Sequence, residues 1–353
     1  MNARDIIVIG ASARGLDALR KIISQLPYDL RATVFIVRHT SASTESLLPE
    51  ILERAGYLKA SHASDGERFQ AGRIYCAPPD HHMMIEDDCI RLTRGPKENR
   101  TRPAVDPLFR SAALTLRTRV VGVILSGALD DGTAGLWCIK YRGGITIVQD
   151  PSEAEFPSMP QSALDHVAID YCLSLLEIAP TLVRLAKDPV ADNGEGFRAT
   201  NLEIENRIAF GDFDALSRID KLGELSSFTC PDCHGLLREL REGDFIRFRC
   251  CTGHVYTAAT LLAEQQQIIE NSLSSTMRAL EENVALNEYV RGHALRSGHR
   301  LAANGFFSIA EGYRARLIQR ILLHHDAPFI PSVHSEISNG ARVEAKQVLA
   351  ATL

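Results

Sequence analysis

Apolar runs and helical periodicities alternate through the first 185 residues of the chain. Continuous apolar runs rich in β-branched residues, typical of strands buried on both faces, cover 6–9, 33–37, 73–76, 120–125, 145–148 and 168–173. Between them, apolar residues recur at helical spacing over 16–26, 44–54, 107–116, 135–141 and 175–185. This alternation predicts an α/β fold, a doubly wound, mostly parallel sheet with helices on both faces, over residues 1–187.

The pattern changes after residue 187. Residues 188–225 begin with a polar stretch rich in Gly and Pro, which indicates a linker, and the alternating segment 201–210 predicts an edge strand within it. From residue 257, apolar residues recur at three- and four-residue steps, and a second helical pattern covers 305–324. We expect an α-helical hairpin over 257–325, either a bundle contact for a partner or a cap on the chain's own core, followed by a tail over 326–353.

Between the linker and the hairpin, cysteines and a histidine occur at metal-ligand spacing. Cys230 and Cys233 form a C-x2-C pair, and Cys250 or Cys251 lies close before His254. Two such pairs flanking a strand-like segment predict a small zinc ribbon over 226–256 with one structural Zn²⁺. Four protein ligands leave no open position for water, so this ion would not be catalytic, and we expect no cofactor for catalysis. Four reduced cysteines without metal are the alternative.

Charge and composition exclude several classes of protein. The formal net charge of the 353-residue chain is −5, and no basic run stands out, so we expect no nucleic-acid partner. No apolar stretch approaches the length of a membrane span, and the N-terminus lacks a basic-then-apolar signal pattern, so we expect no membrane insertion. The scattered cysteines are typical of a reduced, cytoplasmic protein.

Ser12 lies on the turn between the first strand and the first helix. Three interpretations of this turn compete: a helix-capping serine, a degenerate dinucleotide fingerprint at Gly10, Ser12 and Gly15, and a hydrolase nucleophile. A dinucleotide site has an acidic residue at the end of the next strand, whereas this chain has His39 there, which disfavours a dinucleotide site. A histidine at that strand end is suited to be the general base of a serine hydrolase.

A third polar turn follows the strand over 120–125, and it holds Asp130 and Asp131 between glycines. Taken alone, this turn fits a simple Asp cap equally well. Because the carboxyl ends of parallel strands meet at one edge of a sheet, an aspartate there can orient His39 beside Ser12. The three turns together predict a Ser-His-Asp constellation, whose chain order is not prescribed by the chemistry.

Six segments, in order, resemble the catalytic domain of the chemotaxis protein-glutamate methylesterases (CheB-type). They are I-G-A-S-A-R-G at 9–15, V-R-H-T at 37–40, I-Y-C-A-P-P-D-H-H at 74–82, R-P-A-V-D-P-L-F-R-S-A-A at 102–113, L-S-G-A-L-D-D-G-T-A-G at 125–135 and F-P-S-M-P-Q-S-A-L at 156–164. The resemblance implies a serine carboxyl-methylesterase that acts on glutamate methyl esters of chemoreceptors, with glutamine deamidation as a second activity. By position, Ser12 would be the nucleophile, His39 the general base and Asp131 the residue that orients His39.

The same resemblance implies interaction partners, and it indicates which of Cys250 and Cys251 is the metal ligand. Its expected partners are a methylated chemoreceptor or a receptor-like helical protein, and the methyltransferase or kinase of the same pathway. It favours Cys250 over Cys251, because R-C-x-x-G-H-x-Y often follows stand-alone members of the family.

Since the first strand begins at residue 5, we expect no receiver domain within this chain. We also expect zinc and triad to be independent, so that hydrolysis survives removal of the metal.

Two departures from the family pattern leave an alternative open. The usual G-A-S-T-G-G is changed at Ala13 and Arg14, and the usual G-M-G before the aspartate is Gly127-Ala128-Leu129. Neither change removes a member of the triad. The alternative is a catalytically weak signalling adaptor that binds receptor or partner proteins through the esterase-like domain and the helical extension.

Overall fold

The computed structural model of the protein describes residues 2–12, 15–40, 46–190 and 200–325. Its strands are β1 Asn2–Ala3, β2 Ile6–Ala11, β3 Thr33–Arg38, β4 Lys59–His62, β5 Arg73–Cys76, β6 His82–Glu86, β7 Cys89–Thr93, β8 Val120–Ile124, β9 Ile145–Gln149, β10 Tyr171–Leu173, β11 Pro189–Val190, β12 Glu224–Thr229, β13 Leu236–Glu242, β14 Phe245–Cys250 and β15 Val255–Thr257. Its α-helices are α1 Leu16–Ile23, α2 Leu48–Ala55, α3 Val105–Leu116, α4 Thr133–Tyr141, α5 Ser158–His166, α6 Leu175–Leu185, α7 Thr200–Ala209, α8 Phe213–Leu216, α9 Ala258–Arg296 and α10 Arg300–His325.

Seven strands form the central sheet in the order β10-β9-β8-β2-β3-β5-β4. Every pair of neighbours in it is parallel, which confirms the predicted doubly wound, mostly parallel sheet. From β2 the chain proceeds outward through β3, and it later returns to β8 on the other side of β2. Such a reversal opens a crevice at the carboxyl ends of the strands, where α/β proteins bind their ligands.

Helices cover both faces of this sheet because successive side chains of a strand point to opposite faces. From β2, Ile7 and Ile9 pack on one side with α1, α2 and α6. Ile6 and Val8 pack on the other side with α3, α4 and α5. All four side chains are buried, which is why β2 is apolar at every one of these positions.

The sequence patterns missed the strand β4 and the hairpin β6–β7. The edge strand β4 is only half buried, and its sequence Lys-Ala-Ser-His contains no apolar run. The hairpin is antiparallel, with His82 opposite Thr93, and it turns at Asp87 with φ of 52°. The Ile85 N–H donates to Ser111 Oγ at 3.0 Å, which fastens the hairpin to α3.

The predicted edge strand over 201–210 is wrong, because this segment is the helix α7. Its apolar residues Ile204 and Ile208 lie four positions apart, on one helical face, and they belong to a small core of their own with Leu240. Arg110 of α3 donates to Asn206 Oδ1 at 3.3 Å. Part of the predicted linker, 200–222, is therefore folded, and its helix α7 contacts α3, while 191–199 lie outside the described residues. The predicted division into domains stays a prediction.

An antiparallel sheet in the order β12-β13-β14-β15 occupies the region of the predicted ribbon. The chain forms two compact units, Met1–Glu264 and Gln265–Leu353, so this sheet belongs to the same unit as the catalytic sheet.

The predicted helical hairpin corresponds to α9 and α10, with the second helix starting at Arg300 rather than near 305. Arg314 of α10 forms an ion pair with Glu288 of α9. The Arg291 guanidinium lies 4.5 Å from the ring centre of Phe307. No helix in the described part of the chain combines the length and the apolar character needed to cross a bilayer. The predicted tail, 326–353, lies outside the described residues.

Candidate active site and metal cluster

Neighbouring strands of the central sheet deliver the three predicted catalytic residues to one edge. Ser12 follows β2, His39 follows β3, and Asp131 stands in the loop between β8 and α4. The Ser12 N–H donates to the carbonyl of Ser126 at 3.3 Å, and the His39 N–H donates to the carbonyl of Ala11 at 3.1 Å. These bonds continue the strand pairing beyond the strand ends and hold both residues close to the sheet.

A pocket of about 290 Å³ opens at this edge, and Ser12, His39 and Asp131 all contribute to its wall. Asn99, Arg100 and Thr260 line it as well. The fold therefore brings the three predicted side chains together, although they are far apart in the chain.

His39 and Asp131 are joined directly, with 2.7 Å between Nε2 of the imidazole and Oδ2 of the carboxylate. The His39 side chain is 15% exposed and that of Asp131 is 3% exposed, so this pair is largely withdrawn from water. Because Nε2 faces the carboxylate, Nδ1 is the ring nitrogen left to face a substrate or a nucleophile. An aspartate in this position selects one tautomer of the imidazole and stabilises its protonated form.

Asp131 accepts further hydrogen bonds from the segment that begins α3. The Val105 N–H donates to Oδ2 at 2.7 Å, and Asn99 Nδ2 donates to Oδ1 at 2.8 Å. Burial alone raises the pKa of Asp131, but the hydrogen bonds and the charge of His39 outweigh burial and hold this pKa below its ordinary value. Asp131 is thus kept ionised beside the imidazole.

A second buried carboxylate, Asp106, lies behind the first. Its Oδ2 accepts from Asn99 Nδ2 at 2.9 Å, so this amide group bridges Asp106 and Asp131, and its Oδ1 accepts from the Gly135 N–H at 2.7 Å. Burial, followed by the charge of Asp131, raises the pKa of Asp106 well above its ordinary value. Two neighbouring carboxylates in a dry site cannot both ionise easily, and here Asp131 carries the charge.

Asp130, beside Asp131 in the chain, points to the small sheet rather than to His39. Its Oδ1 accepts from the Thr257 hydroxyl at 2.7 Å, and both residues are buried. Burial and the charge of Asp131 raise the pKa of Asp130 to about 7, against the opposing effect of the Thr257 hydrogen bond. The two adjacent aspartates are therefore distinct, and only Asp131 contacts the imidazole.

Gly127 is confined between Ser12 and a buried methionine. A Cβ at this position would lie 2.0 Å from Met159 Sδ and 2.8 Å from Ser12 Cβ. The backbone of Gly127 is held on both sides, since its N–H donates to Phe156 O at 2.9 Å and its carbonyl accepts from the Met159 N–H at 3.0 Å. Close packing against Ser12 thus requires glycine here.

The first sequence departure, at Ala13 and Arg14, lies outside the described residues. Ala128 and Leu129, the other departure, line the pocket, and Leu129 has φ of 64°.

The predicted metal ligands form a cluster in the small sheet. One ligand atom from each of Cys230, Cys233, Cys250 and His254 lies within 4.8 Å of all the others. The separations include 3.6 Å between Cys233 Sγ and Cys250 Sγ and 3.5 Å between Cys250 Sγ and His254 Nδ1. Zn–S bonds of about 2.3 Å at tetrahedral angles place two sulfurs about 3.8 Å apart, so the cluster matches the size of a zinc site. Cys251 is exposed and is not part of the cluster.

Sequence reasoning missed the residues that complete the pocket from outside the three strand ends. Asn99 had no signal of its own, because a lone asparagine in a loop usually serves a turn. Thr260 belongs to a segment that the sequence assigned to a separate helical hairpin. By contrast, Val105 and Asp106 lie within the segment 102–113 that carries the family resemblance.

Comparison with known proteins places the first half of the chain. The sequence model of the CheB methylesterase family matches residues 7–182. A Leptospira interrogans protein, named provisionally as a protein-glutamate methylesterase/protein-glutamine glutaminase, is 39% identical over 182 residues, which cover 51% of this chain and 94% of that protein.

Two further relatives cover the same half. The protein-glutamate methylesterase/protein-glutamine glutaminase of Maricaulis maris is 37% identical over 187 residues, 52% of this chain and 47% of that protein. The chain thus spans about half the length of that longer relative. The crystal structure of the Thermotoga maritima CheB methylesterase catalytic domain is 32% identical, with a TM-score of 0.49, over 51% of this chain and 98% of that one.

Proposed function

The chain belongs to the CheB methylesterase family, and on this premise we propose that it is a serine carboxyl-methylesterase of chemotaxis-type signalling. It hydrolyses glutamate methyl esters on a chemoreceptor-like protein and deamidates glutamines at the same site. The observation that carries the proposal is the 2.7 Å contact between His39 and an ionised, buried Asp131 in the pocket that Ser12 also lines.

In the first half-reaction, Ser12 Oγ attacks the carbonyl carbon of the methyl ester while His39 takes the hydroxyl proton. The tetrahedral intermediate collapses, the bond from carbon to the methoxy oxygen breaks, and His39 returns its proton to that oxygen. Methanol leaves, and the glutamyl group remains on Ser12 as an ester. With a glutamine substrate, the same steps release ammonia.

In the second half-reaction, water attacks the acyl-Ser12 carbonyl, and His39 accepts a proton from that water. Breaking the bond to Oγ and returning the proton to it regenerates Ser12 and frees the glutamate. Asp131 stays ionised throughout, and it stabilises the imidazolium that forms in each half-reaction. Since Nε2 of His39 faces Asp131, the proton moves through Nδ1.

The substrate and partners follow from the same premise. A glutamate side chain carries its ester at the end of two methylenes, so it can enter a shallow pocket from the surface of a helical receptor segment. We assign the methyltransferase or the kinase of the same pathway as further partners, and the cytoplasm as the location. Because the formal net charge is −5, we propose no nucleic-acid partner.

Methanol release tests this proposal. The full chain is incubated with methylated receptor and, separately, with a small glutamyl methyl ester, and methanol is measured. Ser12→Ala should lower turnover by about a thousandfold or more, whereas Ser24→Ala, an exposed serine at the end of α1, should leave turnover unchanged. Full turnover by Ser12→Ala would overturn the serine mechanism.

The adaptor alternative has a distinct outcome. It rests on Ala13 and Arg14, where the family usually has threonine and glycine. If the wild type and the Ala13→Thr/Arg14→Gly variant both bind methylated receptor and neither releases methanol, the chain is an adaptor.

We also propose that Cys230, Cys233, Cys250 and His254 hold one structural Zn²⁺. The thiolate and imidazole donors are those zinc prefers, and their separations suit tetrahedral coordination. Elemental analysis of protein purified without chelators should find about one zinc per chain, and Cys233→Ser should lose it. Cys251→Ser is the matched control and should keep it. Less than half an equivalent of zinc in the wild type would refute the site.

A further inference from the structure

The small sheet is paired to the catalytic sheet's loops through the backbone of Val255, the residue after the metal ligand His254. The Val255 N–H donates to the carbonyl of Lys97 at 3.1 Å, and the Asn99 N–H donates to the carbonyl of Val255 at 2.8 Å. Asn99 is the residue whose amide donates to Asp131 at 2.8 Å. A short path of backbone and hydrogen bonds therefore runs from the metal cluster to the triad.

Thr257 makes a second connection, two residues further on. Its hydroxyl donates to Asp130 Oδ1 at 2.7 Å and accepts from the Thr260 N–H at 3.0 Å. Thr260 Oγ1 in turn accepts from the Thr257 N–H at 2.7 Å. This reciprocal pair caps the start of α9, with threonine in the place of the usual Glu or Gln. It also fixes Thr260 in the wall of the pocket.

A buried ionic network makes the attachment extensive. Glu98 accepts from Arg110 of α3 at 2.7 Å and from Arg249 of β14 at 3.3 Å. Glu205 of α7 accepts two hydrogen bonds from Arg247 of β14, both of 3.0 Å. All five side chains are at most 4% exposed. Charges buried to this degree are costly unless each is paired, and here every one has an oppositely charged partner, in pairs that join β14 to α3 and α7.

At the pocket mouth, Arg100 forms an ion pair with Glu264 in the second turn of α9. Arg100 lines the pocket beside Asn99. Residues from 255 to 264 thus contact the Asn99 backbone, the Arg100 side chain and the carboxylate of Asp130, the neighbour of Asp131.

We propose that the segment Val255–Thr260 is a structural wall of the active site, in which the Val255 backbone holds Asn99 and Thr257 is a positioning residue that holds Asp130, so that metal binding to the small sheet sets esterase activity. This inference rests on the proposed esterase function. It replaces the expectation that zinc and triad are independent. The metal takes no part in the chemistry; it orders His254, and through Val255 and Thr257 it orders the loops that carry Asn99 and Asp131.

The first test is Thr257→Val, which keeps the shape of the side chain but cannot bond Asp130 or cap α9. We expect kcat per folded molecule on a small glutamyl methyl ester to fall about tenfold to a hundredfold, since small misplacements of catalytic groups have effects of this size. Thr257→Ser restores the hydroxyl and should restore kcat. Thr276→Val, on an exposed position of α9, is the matched control. A wild-type kcat for Thr257→Val would overturn the proposal.

The second test compares Cys233→Ser with Cys251→Ser by hydrogen exchange of the Asn99 backbone amide and by hydrolysis of the same ester. We expect Cys233→Ser to lose both the protection of Asn99 and most of the activity, and Cys251→Ser to keep both. Protected Asn99 and full activity in metal-free Cys233→Ser would overturn the coupling.

The exchange measurement separates this proposal from the esterase function. If the wild type hydrolyses no ester, the proposed esterase function is refuted. Hydrogen exchange of the Asn99 amide then still tests whether the metal cluster orders the wall of the pocket. Loss of protection in Cys233→Ser alone then supports the wall, and unchanged protection in both variants refutes it.

Discussion

Replacing Gly127 by alanine should displace Ser12, the proposed nucleophile, without removing any group of the proposed triad. The new methyl carbon would start 2.0 Å from Met159 Sδ and 2.8 Å from Ser12 Cβ, whereas unbonded carbon atoms prefer about 3.5–4.0 Å. The Gly127 backbone is bonded to Phe156 and Met159, so the loop cannot simply retreat. Both neighbours must move.

The two displacements have different consequences. Forcing buried Met159 aside is overpacking, which costs about 1–3 kcal/mol of unfolding free energy. Moving Ser12 by part of an ångström changes little in stability, but a misplacement near 1 Å can cost about a hundredfold in rate. We therefore expect Gly127→Ala to lose about 2 kcal/mol of stability and about a hundredfold in kcat.

A second substitution separates these effects. Gly127→Ala/Met159→Ala removes the sulfur that clashes but leaves the contact with Ser12. The stability lost by the double variant should therefore be smaller than the sum of the losses of Gly127→Ala and Met159→Ala measured separately. Its kcat should remain low. Urea unfolding gives the stabilities, and methanol release from a small ester gives kcat. Additive stability changes, or a double variant with wild-type kcat, would refute this account of the glycine.

Three further predictions concern buried carboxylates and the triad. Asp130 has a pKa of about 7 in the folded protein and an ordinary value of 3.8, so the folded form retains a proton that the unfolded chain releases between pH 4 and 7. Wild-type stability should therefore fall across that window relative to Asp130→Asn, by up to about 1.4 kcal/mol per pH unit in urea titrations; a constant difference would contradict the raised pKa. Glu98→Gln leaves buried arginines short of a countercharge and should cost about 3–5 kcal/mol, and a loss below about 1 kcal/mol would show the network to be dispensable. Ser12→Ala/Asp131→Ala should be no slower than Ser12→Ala alone in methanol release, because triad members act as a unit; independent effects that multiply would argue against a triad.

The central sheet could be predicted from sequence because burial on both faces makes each parallel strand a continuous apolar run. The turns that follow those strands carry Ser12, His39 and Asp131, and the geometry of parallel sheets alone requires such turns to share an edge. The half-buried edge strand β4 and the helix α7 were beyond this reasoning. An edge strand has no second buried face, and in α7 the apolar positions 204 and 208 fit a strand period and a helical period equally well.

The Cys/His cluster could also be predicted from sequence, since ligand spacing within each pair is a local property of the chain. Its contacts with the candidate active site could not be predicted in this way. The sequence separates Asp130 from Thr257 by more than a hundred residues, and it separates Asn99 from Val255 by a similar distance.

Nothing in the local pattern of residues 96–100 or 255–264 distinguishes a surface loop from a wall of the site. Only the folded chain decides this, because a pocket wall is formed by contacts between distant segments, and those contacts are determined by how whole sheets pack. The sequence by itself determined which residues could perform ester hydrolysis and bind a metal. The tertiary structure determined that the segment after the Cys/His cluster packs on the loops that carry Asn99 and Asp131.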